Sequence, residues 1–347
     1  ATLSKTLLDR SDVVVGLDSL NDYYDVALKQ ARLERLKALP TFTFEHGDIA
    51  DRDVLPELFN KHQIHAVIHL AAQAGVRYSM DNPAAYIDAN LVGFGNMLEA
   101  VRQADGIPLV YASSSSVYGA NDKLPFSECD RVDQPMSLYA ATKRSNELMA
   151  YAYAHLYRLP LVGLRFFTVY GPWGRPDMAL FKFTKAILND EPITLYNRGN
   201  MVRDFTYIDD AVRAVIGILD ACLGQTLFSG ASTPPWRVYN IGNHKKVPLM
   251  DYVRVLEQCL GRKAAVDLLP MQDGDVPETD ADVSKLVGDF GTSMNIDIEE
   301  GIARFVSWYR WLTCVSFKMV FVLLFCLVYI YLVIYVRDSG PLYPGIG

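Results

Sequence analysis

Five short apolar runs, each followed by a longer stretch of helical periodicity, constrain this chain more than any other feature. Val13 to Leu17, Phe42 to Phe44, Ala66 to Leu70, Leu109 to Ala112 and Leu161 to Phe166 are rich in Val, Ile and Phe. Runs that show little polar alternation suit strands covered on both faces. Between them, apolar residues return every three or four positions, as in Ile87, Leu91, Phe94, Leu98 and Val101. Such alternation predicts an α/β fold, a doubly wound parallel sheet with helices on both faces. From Gly171 onward the rhythm breaks into pieces punctuated by Pro and Gly, such as Gly171-Pro-Trp-Gly174 and Thr233-Pro-Pro-Trp236. The expected division is therefore a first domain over 1–170, a smaller α/β lobe mainly over 171–310, and an atypical tail over 311–347.

Both ends depart from that pattern. In the doubly wound order the first strand lies centrally and is followed by a glycine turn that lets backbone approach a pyrophosphate. No G-x-G-x-x-G or G-x-x-G-x-x-G occurs, and Gly93-Phe-Gly95 falls inside a helical stripe. The sheet is accordingly expected to lack its first strand and glycine loop, as in an N-terminally truncated chain. Unpaired buried backbone groups in such a gap each cost on the order of 1–3 kcal/mol. At the other end, Met319 to Val336 is a run of 18 uncharged, mostly apolar residues, at the lower limit for crossing a bilayer. It reads as a membrane-seeking anchor, with a foreign terminal sequence or a buried core element as the other readings.

Composition excludes several classes. A net charge of −7 lacks the basic excess of a protein that tracks nucleic-acid phosphates. The five cysteines are widely spaced with no C-x-x-C pair, and the six histidines show no ligand spacing, so neither a disulfide framework nor a metal site is expected. No signal peptide opens the chain; a cytoplasmic catalytic region follows.

Chemistry concentrates in Tyr139-Ala-Ala-Thr-Lys143, preceded by Ser113-Ser-Ser-Ser-Val-Tyr-Gly119 at a strand end. Residues four apart on a helix share a face, so the ammonium can lie near the phenol and favour its ionised form. A strand-end serine can bond the same substrate hydroxyl, giving acid/base work with an orienting donor. Asp18 closes Val13-Val-Val-Gly-Leu-Asp18 where a dinucleotide's ribose needs a diol acceptor. Asp48, after Gly47, can face an adenine amine; either aspartate can equally cap a turn. His69, within an apolar strand, reads as a core histidine.

These blocks, with His69-Leu-Ala-Ala-Gln-Ala-Gly-Val-Arg77, Arg165-Phe-Phe-Thr-Val-Tyr-Gly-Pro172 and Arg203-Asp-Phe-Thr-Tyr-Ile-Asp209, resemble in order the signatures of NAD-dependent sugar-nucleotide epimerases and dehydratases of the extended short-chain dehydrogenase type. Asn21-Asp-Tyr-Tyr-Asp25, Gly171-Pro-Trp-Gly-Arg-Pro-Asp-Met178 and Gly301-Ile-Ala-Arg-Phe-Val-Ser-Trp-Tyr309 resemble the UDP-glucuronate 4-epimerase branch, known from capsular polysaccharide biosynthesis. The resemblance covers Ala1 to about Arg310. It implies a Rossmann-type domain binding NAD and a UDP-sugar substrate. Tyr139 would be the base, Lys143 would hold the nicotinamide ribose and depress the phenol, and Ser114 would bond O4. Asp18, Asp48, Ile49, Leu70, Ala71, Ala72 and Phe167 would line the cofactor, together with Tyr139 and Lys143. Ser116, Thr168 and Arg175 would meet the sugar, the latter two at its carboxylate; Arg203 would clamp the diphosphate, with Thr194, Tyr196 and Asp275 around the uridine. It also implies a homodimer.

The turn before Val117-Tyr118-Gly119 carries Ser115 and Ser116, where related dehydratases use an acidic residue. Elimination lacks its carboxylate there, and epimerisation by oxidation and re-reduction at C4 is the expected reaction. The other readings are a different reaction or sugar within the family, and an inactive sugar-nucleotide-binding or membrane-associated scaffold.

Overall fold

A computed structural model describes residues 1–229 and 233–314, so the apolar segment 319–336 lies outside the described residues. The chain opens with α1 (Thr2–Asp9), β1 (Val14–Asp18), α2 (Val26–Lys37), β2 (Phe42–His46), α3 (Val54–Lys61) and β3 (Val67–His69). Two four-residue helices, α4 (Tyr78–Asp81) and α5 (Pro83–Tyr86), lead through a π-helical turn (Ile87–Val92) into α6 (Gly93–Gln103). Then come β4 (Leu109–Ser114), α7 (Leu138–Tyr157), β5 (Leu161–Phe166), β6 (Thr168–Tyr170), α8 (Ala179–Leu188), β7 (Ile193–Leu195), β8 (Val202–Tyr207) and α9 (Ile208–Leu223). The remaining elements are β9 (Trp236–Ile241), β10 (Lys246–Pro248), α10 (Leu249–Leu260), β11 (Val266–Leu268), α11 (Ser284–Phe290) and a last helix, α12, over 298–314.

Parallel strands in the order β3-β4-β5-β9 form the largest sheet, and β1-β2 form a separate parallel pair. All five expected strands are present. β4 and β5 are buried almost throughout because α6 and α7 cover one face while α9 covers the other. No ladder joins β1 to β3, and β1 stays half-buried, below the full burial that interior parallel strands reach. α1 lays Leu3 and Leu7 against the α9 side of the sheet.

The chain beyond residue 171 is shared between layers. β9 returns to pair with β5, and α9 packs through Ala211, Val215 and Ile218 onto Val110 and Val162. The second lobe is built from β10-β8-β6 and β11-β7. Its own core joins Tyr170, Phe205, Tyr252 and Leu256 to Phe305 and Trp308 of α12.

One helical expectation shifts. Phe94, Leu98 and Val101 are buried, but Ile87 is 40% exposed. The π-helical turn over Ile87–Val92 breaks the 3.6-residue phase and rotates the earlier residue out of the stripe. The same turn carries buried Asn90, whose side chain accepts from the Gln73 amide (2.8 Å) and donates to the Gln73 carbonyl (3.0 Å) and Thr142 Oγ1 (3.0 Å). Asn146 donates to the Asn90 carbonyl at 2.6 Å, so α7 is fastened to the loop leaving β3.

Candidate active site

The carboxyl ends of β1–β5 open on one cavity of about 860 Å³. That size is near the top of the range for small-molecule sites, and it suits an extended ligand or a pair. Asp18, Asp48, Ile49, Leu70, Ala71, Ala72, Ser114, Ser116, Tyr139, Lys143, Phe167, Thr168, Arg175, Arg203 and Asp275 all line it. Thr194 and Tyr196 do not line it. Thr194 is within β7, in register with Asp267 of β11, and the Tyr196 ring lies beneath the Arg77 guanidinium, 4.4 Å away. Thr194 is thus part of β7 and Tyr196 opens the turn after it, both in the second lobe.

Tyr139 enters in the first turn of α7. Ser137 caps that helix by accepting from the Ala140 amide at 3.1 Å, a preferred N-cap arrangement. Two turns further, buried Glu147 accepts from Ser113 Oγ at 2.7 Å and from both Nε (2.8 Å) and Nη2 (2.9 Å) of Arg165. The helix carrying the phenol is thereby tied to β4 and β5. Ser114, the last residue of β4, lines the cavity beside Tyr139, close enough to favour the ionised phenol, and donates to Ser116 Oγ at 3.1 Å.

The electrostatics differ from the expectation in one respect. Burial is the main influence on Tyr139 and pushes its pKa up, while the Ser114 bond and the Arg175 charge pull it down. The Lys143 ammonium donates to the Ala112 carbonyl at 3.0 Å, and burial lowers its own pKa to about 8. Sharing a helix face placed the two side chains in one cavity, with the ammonium bonded to the backbone of β4. Burial also lowers the pKa of His69 to about 3, helped by Lys143, so that ring is a neutral core group.

Asp18 and Asp48 each hold a local turn and also line the cavity. Asp18 Oδ1 accepts from the Leu20 amide at 2.7 Å and Asp48 Oδ1 from the Ala50 amide at 2.9 Å. The local bond fixes the carboxylate and leaves its second oxygen for a ligand. Arg203 Nη2 meets Asp275 at 2.9 Å, and Nη1 donates to the Val202 and Pro277 carbonyls, each at 3.0 Å. Burial lowers its pKa and Asp275 opposes that. Tyr23, Gln73, Trp173 and Met178 also line the cavity and were not singled out; their signal was the two branch segments that contain Tyr23 and Trp173.

The residues fit an NAD-sized group. Lys143 is buried with one carbonyl partner and further N–H bonds to give. Asp18 has a free oxygen, and Leu70-Ala71-Ala72 offers a small-residue wall. Among the described residues no group of His, Cys, Asp or Glu is arranged to hold a metal.

Comparison with known proteins supplies the rest. The model of the NAD dependent epimerase/dehydratase family matches residues 1–242. The chain belongs to that family. It is therefore an NAD-dependent protein of Rossmann-like α/β fold. It is 51% identical over 314 residues to Protein CapI of Staphylococcus aureus, covering 88% of this chain and 94% of that one. It is 48% identical over 314 residues to UDP-glucuronate 4-epimerase 2 of Arabidopsis thaliana, covering 88% of this chain and 72% of the relative. The structure of UDP-glucuronic acid 4-epimerase from Bacillus cereus, in complex with UDP-glucuronic acid and NAD, superposes with a TM-score of 0.81 at 31% identity, covering 90% of this chain and 95% of that one.

Proposed function

We infer that the chain is an isomerase, an NAD-dependent epimerase that interconverts UDP-glucuronate and UDP-galacturonate by oxidation and re-reduction at C4. The observation that carries the reading is that Tyr139 and the strand-end Ser114 line one cavity together with Lys143 and Arg175. Likeness to UDP-glucuronate 4-epimerases supports the choice of sugar.

Tyr139 takes the proton of the 4-hydroxyl, and Ser114 bonds the same oxygen, holding it as the carbonyl forms. NAD, when bound, would supply the hydride acceptor and donor at C4. The 4-keto sugar presents its other face before Tyr139 gives the proton back. Lys143 would hold the nicotinamide ribose with the N–H bonds not used on Ala112, and Asp18 would take the adenosine ribose diol. Arg175 with Thr168 receives the sugar carboxylate, since a guanidinium matches a planar anion. Arg203 meets the diphosphate beside Asp275, and Ser116 supports Ser114. The assignment of Thr194 and Tyr196 to the uridine is kept only for a bound state in which β7 and the following turn border the nucleotide. The cofactor falls to 1–170 and the UDP-sugar mainly to 171–310, with β9 and α9 completing the first layer.

The enzyme is proposed to work as a homodimer in the cytoplasm. Leu148 and Tyr151, exposed on the outer side of α7, and Val92 beside α6 offer an apolar face for a second copy. The stretch 319–336 is proposed as a membrane contact, although among the described residues no helix is long and apolar enough to span a bilayer.

Incubating the purified protein with UDP-glucuronate tests the reading. UDP-galacturonate is expected without added NAD, because the cofactor is regenerated in each cycle and stays bound. Absence of both bound dinucleotide and product would make the chain an inactive sugar-nucleotide-binding protein.

A further inference from the structure

The two segments that mark the branch, Asn21 to Asp25 and Gly171 to Met178, meet at the cavity although their contacting residues stand 154 positions apart. Tyr23 Oη donates to Asp177 Oδ2 at 3.3 Å. Asp177 in turn accepts from Arg175 Nε at 3.0 Å and Nη2 at 2.8 Å. This bidentate pair occupies one edge of the guanidinium. Nη2 also lies 3.6 Å from Met178 Sδ, while Nη1 has no partner among the described residues.

The surroundings make this arrangement stiff. Arg32 of α2 donates to the carbonyls of Trp173 (2.7 Å) and Gly174 (2.9 Å), and the Arg35 guanidinium lies 4.4 Å over the Trp173 ring. The backbone before Arg175 is therefore pinned to the first lobe. Tyr23 packs against the Tyr78 ring, centroids 4.8 Å apart. Its hydroxyl lies 2.9 Å from where a Cβ on Gly75 would stand, and Gly75 has φ +106°, so glycine keeps both the turn and the space.

We propose that Asp177, anchored by Tyr23, is a positioning residue that holds Arg175 with its unpaired end toward the sugar carboxylate, so that this chain of contacts sets the preference for an acidic over a neutral UDP-sugar. Asp177 touches no substrate atom. It restricts a long side chain before the ligand arrives, which leaves less ordering to be done on binding. A bidentate partner on one edge leaves the other edge to recognise a second carboxylate. The proposal rests on Arg175 as the carboxylate grip.

Three variants of the full-length holoenzyme test it: Asp177→Asn, Tyr23→Phe and Arg175→Met. The readouts are KM and kcat with UDP-glucuronate, and the Kd of UDP-glucose, which has the same nucleotide and no carboxylate. For Asp177→Asn, KM should rise about tenfold while kcat and the UDP-glucose Kd stay within about twofold. Tyr23→Phe, which removes one hydroxyl, should show the same split at roughly threefold in KM. An unchanged or lower KM in Asp177→Asn would overturn the proposal, the lower value meaning that Asp177 competes with substrate. An equal loss for both ligands would also overturn it, as a general packing defect. Arg175→Met separates the two levels: no effect on UDP-glucuronate KM there defeats the carboxylate assignment, whereas a large effect there with none in Asp177→Asn defeats the positioning role alone.

Discussion

Lys143 has a buried ammonium with a pKa lowered from 10.5 to about 8, a drop that corresponds to roughly 3 kcal/mol held against folding at neutral pH. Because the folded value is the lower one, the penalty is complete below pH 8 and disappears as pH rises from 8 to 10.5, where the unfolded chain binds more protons. Lys143→Met should therefore raise stability slightly at pH 7, since the lost charge-assisted bond to the Ala112 carbonyl costs about 1.5–3 kcal/mol against the penalty removed. Urea titrations at pH 7 and pH 10.5 check this: the gain should shrink at the higher pH, while turnover falls at both. Tyr139→Phe should leave UDP-sugar binding within about twofold and cut kcat by about 10²–10⁴, read from single-turnover conversion and calorimetric binding. Comparable turnover would remove the phenol from the mechanism.

At the scale of elements, α7 is held by the buried Glu147–Arg165 pair, whose guanidinium lies 4.9 Å over the Tyr118 ring and whose Nη1 has no hydrogen-bond partner among the described residues. Removing one member strands a charge, so Glu147→Leu should destabilise by about 3–5 kcal/mol, whereas Glu147→Leu with Arg165→Met should recover most of it. Chemical denaturation of the two variants gives the comparison. Legibility in the sequence follows the same physics. β4 and β5 could be read because strands covered on both faces are continuously apolar, and the serine run from Ser113 marks where β4 reaches the cavity. Tyr139 and Lys143 share a cavity because helix spacing is local. What helix spacing did not fix was where the Lys143 ammonium points, since the nearest acceptor, Ala112, is 31 residues away. Nor did it reveal the π-helical turn that moves Ile87 outward, or the pairing of Tyr23 with Asp177, which depends on the two lobes meeting.

Across the whole molecule, the site lies where two parallel ladders and a second lobe converge. β1-β2 supplies Asp18 and, through the loop after β2, Asp48; the ladder from β3 to β9 supplies Ser114; and the segment after β6 supplies Arg175. The outer face of α7 offers the clearest assembly surface in the proposed dimer. Leu148→Glu with Tyr151→Glu should shift the sedimentation coefficient from that of a dimer to that of a monomer, and a wild-type monomer would remove the dimer proposal. The central claim is that one enzyme-held cofactor takes the C4 hydride and gives it back while Tyr139 moves the hydroxyl proton. Proton NMR of the product formed from UDP-glucuronate deuterated at C4, in ordinary water, tests this most directly. The account predicts UDP-galacturonate that keeps its C4 deuterium. Product with protium at C4, or no product from protein that carries NAD, would contradict it.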